Sequence, residues 1–97
     1  MRPLLPGDLD FAVRALLARP RAEWRSVVTQ LLEEAGKAHG FRQSQGRPHP
    51  HFGTGSVMSA AARHELAALP PTCDPVYCSA LREVLDVVLS NDLAQGT

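Results

Sequence analysis

Residues 20–40 read PRAEWRSVVTQLLEEAGKAHG, and this stretch decides the fold. Trp24, Val27, Val28, Leu31, Leu32, Ala35 and Ala38 follow one another at gaps of three and four, the spacing that aligns one side of an α-helix. Arg25, Gln30, Glu33, Glu34 and Lys37 fall on the other side. Pro20 suits the first helical position, where its missing N–H costs nothing, and Glu23 faces the positive end of the helix dipole. The helix is expected over about 20–44, because Gly36 and Gly40 weaken it by up to ~1 kcal/mol each relative to alanine and place its end between His39 and Gln45.

A helix with one apolar stripe needs other elements to cover it, and the flanking sequence supplies them. Upstream, Leu9, Val13, Leu16 and Leu17 repeat at helical spacing, which predicts a short helix over about 8–19 with Asp8 as its N-cap. Downstream, Met58, Ala61, Ala62, Leu66 and Leu69 predict a third helix over about 56–68, started by Thr54 or Ser56 and ended by Pro70 and Pro71. Asp74-Pro75 is a cap followed by a first-position proline. It opens a fourth helix over about 75–92, with Val76, Tyr77, Ala80, Leu81, Val84, Val87 and Val88 inward and the final NDLAQGT frayed. No repeat or strand pattern competes, so the expectation is an all-α, compact four-helix bundle-like single domain. A Gly/Pro/His-rich loop, GRPHPHFGTG at 46–55, separates helices two and three.

Composition fits this reading. The 97 residues are 44% hydrophobic and 21% charged, with few aromatics, which suits a globular aliphatic core formed without metal or disulfide. No stretch reaches the roughly 20 apolar residues of a membrane span, and MRPLLPGDLD lacks a secretory signal's apolar region, so a cytoplasmic protein is expected. Cys73 and Cys78 have neither redox-motif nor zinc-knuckle spacing, and reduced thiols follow.

The charges divide sharply. Residues 35–64 contain no Asp or Glu but hold Lys37, Arg42, Arg47, Arg63 and every histidine, His39, His49, His51 and His64. Beyond them Glu65, Asp74, Glu83, Asp86 and Asp92 stand against Arg82 alone. Either the basic middle pairs with the acidic fourth helix, or it docks something anionic.

Four chemistries can be weighed. Loops held on a rigid scaffold carry recognition residues, which points to Arg47, His49, His51 and Phe52 as a surface for a protein partner. Alternatively, Gly53, Thr54, Gly55 and Ser56 at a helix start, with Arg42 and Arg63, form an anion site for a phosphate-bearing ligand or nucleic acid. The absence of a lysine after the glycines excludes a nucleotide-binding P-loop. A structural zinc site is a further alternative, but an extended His49-Pro50-His51 sends its imidazoles to opposite sides, and no metal ligand set is assigned. Cys78 with His64 or His49 can be written as a nucleophile and base, yet nothing orients them, so no enzyme and no cofactor is expected.

Met1-Arg2-Pro3 with Pro6-Gly7-Asp8, Gly46-Arg47-Pro48-His49 followed by Gly53 and Gly55-Ser56-Val57-Met58, and Asp74-Pro75 with Tyr77 resemble a group of short uncharacterised proteins of alphaproteobacteria. The resemblance spans nearly the whole chain. It implies a bacterial origin and a self-contained domain, and it carries no activity, cofactor or catalytic residue. The expected protein is a small cytoplasmic binding or regulatory unit, monomeric or homodimeric.

Overall fold

The computed structural model describes residues 4–68 and 74–94, with side chains as far as Ser90. Four helices are present, α1 (Pro6–Leu17), α2 (Trp24–Gln45), α3 (Val57–Ala61) and α4 (Pro75–Ala94), with a 3-10 turn, Arg21–Glu23, leading into α2. No strand occurs among the described residues; the expected all-α, bundle-like architecture is the one observed. α1 packs against the other three helices, and α2 contacts both α3 and α4.

The second helix buries every residue of its expected stripe, Leu31, Ala35 and Ala38 completely. It begins later than Pro20, because that proline's carbonyl accepts the Glu23 N–H in the 3-10 turn. Glu23 itself pairs with Arg19 at 2.9 Å. The glycines at 36 and 40 do not interrupt the helix. It runs to Gly46, whose φ of 72° and N–H to the Arg42 carbonyl end it in the left-handed cap that glycine adopts without penalty. α4 starts as expected: the Asp74 Oδ1 accepts the N–H groups of Val76 (2.8 Å) and Tyr77 (3.3 Å). Tyr77, Ala80, Val84 and Val87 face the core, while Val76 is turned out to solvent.

Asp8 differs from its expected role. It lies inside the first turn of α1, 3% exposed, with both carboxylate oxygens engaged. Oδ2 accepts the Leu5 N–H at 2.7 Å, closing the start of its own helix. Oδ1 accepts the Met58 N–H at 2.8 Å, in the first turn of α3, fifty residues away.

The third helix is far shorter than the expected 56–68. The apolar stripe there has another phase: Val57, Ala60 and Ala61 are buried, whereas Met58 and Ala62 are exposed. A helix continued on this phase would turn Leu66 to the opposite side, at 100° per residue. The chain instead leaves the helix after Ala61 and returns Leu66 to the core in a non-helical segment. That segment is held by the Ala67 N–H on the Arg14 carbonyl (3.0 Å) and the Arg14 Nε–H on the Ala67 carbonyl (2.8 Å). His64 Nε2 lies 3.0 Å from Glu34 Oε1, tying the same segment to α2. The expected roles of Leu69, Pro70, Pro71 and Cys73 lie outside the described residues, as does the very end of the chain. Cys78 is exposed in the first turn of α4.

Replacing Asp8 by alanine leaves two backbone N–H groups on two helices without their acceptor and is expected to cost about 2–3 kcal/mol, read as a lower urea midpoint at constant m-value. Asp8→Asn keeps one acceptor oxygen and should lose roughly half as much. Gly36→Ala is expected to raise stability by up to ~1 kcal/mol, since a Cβ at this helical position meets nothing within 4 Å.

Candidate functional site

The 46–55 loop is a hydrogen-bonded turn built around one imidazole. The His49 N–H donates to the Gly53 carbonyl (2.8 Å) and the Gly53 N–H returns to the His49 carbonyl (3.2 Å), closing a five-residue antiparallel bridge. Inside it, His49 Nδ1 accepts the N–H groups of His51 (3.0 Å) and Phe52 (3.1 Å). A ring nitrogen that accepts two N–H donors uses its lone pair for them, which leaves Nε2 as the ring's donor.

Two aromatic contacts hold the same ring. Phe52 stacks on His49 with centroids 4.8 Å apart and planes 21° from parallel, while Phe41 of α2 meets it edge-on at 4.9 Å. Arg47 spreads over the Phe41 ring, 5.5 Å from its centroid, a cation–π contact. The geometry corrects the expected extended His-Pro-His: the chain turns at Pro50, and the His49 and His51 centroids approach to 5.8 Å. Among the described residues no group of three or more His, Cys, Asp or Glu side chains is placed to hold a metal ion.

The remaining half of the loop is buried against the scaffold. Gly53 and Gly55 have φ of 86° and 103°, in the region that favours glycine. A Cβ on Gly55 would stand 2.9 Å from the His39 Cα, so α2 and the loop can touch here only through glycine. The Thr54 N–H donates to Ser59 Oγ (3.0 Å), and Ser56 Oγ caps α3 by accepting the Ser59 N–H (3.0 Å). With Met58 N–H directed at Asp8, the α3 start is occupied by groups of the chain itself.

Of the residues expected to bind, Arg47 and His51 are exposed, His49 and Phe52 are half-buried in the ring cluster, and Arg42 is exposed on the last turn of α2. Arg63 is exposed just beyond α3. The basic middle does not pair with α4: among the described residues Lys37, Arg42, Arg47 and Arg63 form no ion pair, and Glu83 of α4 is met by Arg25 of α2's first turn at 3.5 Å. Sequence reasoning missed Ser59 and the long-range bond of Asp8, for which no local pattern exists.

Residues 2–88 match the family described as "Domain of unknown function (DUF7742)". The chain belongs to this family. Comparison with curated proteins finds no match, and comparison with solved structures finds none either. No helix among the described residues of this DUF7742 member is long and apolar enough to cross a membrane.

His49→Ala removes the acceptor of two loop N–H groups and the stack on Phe52, and is expected to cost about 1–2 kcal/mol in thermal or denaturant unfolding. Faster amide hydrogen exchange confined to His51, Phe52 and Gly53 would identify the loop as the part that loosens.

Proposed function

We propose that this chain is a small helical binding protein of the bacterial cytoplasm that docks an acidic surface of a protein partner on the 46–52 turn and the adjoining end of α2. The observation that carries the proposal is the set of exposed cations, Arg42 and Arg47 above all, that have no carboxylate partner among the described residues, while Glu23, Glu34 and Glu83 are met by Arg19, His64 and Arg25. Arg47 lies on Phe41, and Phe41 on His49, so the cation is presented by a pre-formed aromatic platform. A rigid platform lowers the ordering cost of association. Acidic side chains on a partner would complete the charge pairing that the domain itself leaves open, with His51 and Pro50 at the rim.

A second reading rests on the same cations: phosphate oxygens of a nucleic acid would satisfy Arg42, Arg47 and Lys37 equally well. A protein partner is preferred because the chain's formal net charge is zero and the exposed cations in question are few.

The test is charge reversal of two exposed cations whose side chains form no ion pair among the described residues. Tagged full-length Arg42→Glu/Arg47→Glu should keep its helicity and melting temperature but retain the partner from cell extract at least about tenfold less well, a loss of roughly 1.4 kcal/mol. Equal recovery by the two proteins removes this surface from consideration. DNA or RNA binding that rises steeply as salt is lowered would assign the cations to phosphates instead.

A further inference from the structure

α4 turns more apolar surface outward than the core requires. Tyr77, Ala80, Val84 and Val87 are buried, Leu81 and Val88 are half-buried, and Leu85 and Leu89 are 42% and 61% exposed. Cys78, Leu81, Leu85 and Val88 follow at gaps of three, four and three, the spacing of a helix-pairing seam. At 100° per residue this seam lies about a quarter-turn round the helix from the buried side. Arg82 and Asp86 border it on the edge that faces a shallow groove shared with Arg21 and Trp24, both exposed and neither in an ion pair among the described residues.

We propose that α4 is a homodimer interface, in which two copies pair their α4 helices antiparallel about a two-fold axis at Leu85. Leu81 of each copy then packs on Leu89 of the other. The charges select this arrangement. With a rise of about 1.5 Å per residue, Arg82 lies ~4.5 Å before Leu85 and Asp86 ~1.5 Å after it. A perpendicular two-fold keeps both residues on the same edge and reverses their order, so each Arg82 comes level, within ~3 Å along the axis, with the other copy's Asp86. The border is self-complementary, as a two-fold contact demands. An anionic lipid surface fits poorly, because Arg82 is the helix's one cation and shares its described surface with Asp74, Glu83 and Asp86. The seam from Cys78 to Leu89 is only ~17 Å long, so micromolar affinity is expected.

Sedimentation of the full chain from about 1 to 100 μM should show a concentration-dependent dimer. Arg82→Asp and Asp86→Arg should each weaken it about tenfold, and the combined swap should restore it. In a Cys73→Ser/Cys78→Ser background, Leu85→Cys should cross-link to itself under mild oxidation, since the axis passes through that residue. A chain that stays monomeric throughout this range overturns the proposal, whether or not the face binds vesicles or another protein. A dimer whose combined swap does not recover, or whose Leu85→Cys does not cross-link, also overturns it. All the substituted seam positions are exposed, and unchanged helical circular dichroism separates lost pairing from lost folding.

Discussion

One carboxylate sets the arrangement of this domain. Asp8 is almost fully buried, a placement that is costly for a charge unless its oxygens are satisfied. Here each oxygen takes one backbone N–H, and the two N–H groups belong to the first turns of two different helices. Both helix starts carry positive partial charge, so the anion sits where two dipoles favour it. The requirement that one small group reach both starts fixes how close α1 and α3 come, and Gly7 leaves room at that point for the Met58 side chain. α3, at five residues, is too short to hold itself together and depends on this anchor and its serine cap.

From α3 the constraint passes to the loop. Ser59 on α3 accepts the Thr54 N–H, and the buried Gly55 lies on the backbone of α2 at His39. With that half of the segment fastened, the 49–53 turn closes on itself around His49 and is pushed to the surface together with Arg47 and His51. The surface proposed for binding is therefore the outer side of a structure whose inner side is ordinary scaffold. Its glycines serve close packing, and its histidine serves the turn.

The residues that announced themselves in the sequence were those whose partners are nearby. The stripe from Trp24 to Ala38 and the Asp74-Pro75 start depend on neighbours within one or two turns, and both are found as read. The third helix was not legible, because an alanine-rich run admits two apolar phases. Tertiary contacts, Arg14 with Ala67 and His64 with Glu34, favour the non-helical return of Leu66. The role of Asp8 needs a partner fifty residues away, which no local pattern encodes. At the candidate site, composition marked out the 46–55 segment, but the extended reading of His-Pro-His failed since the two N–H bonds to Nδ1 bend the chain back. The charge boundary posed a choice that only the positions of Glu83 and Arg25 could resolve for α4.

The ties that hold α1 reach forward to Met58 and Ala67, across half of the chain. Contacts of such long sequence separation form late, after the intervening segment has been drawn in. On a ribosome, the amino-terminal helix therefore has no finished seat until α3 and then α4, both of which it packs against, have emerged. Seating α1 on α3 is also the step that buries Asp8, so this closure takes a charge out of water.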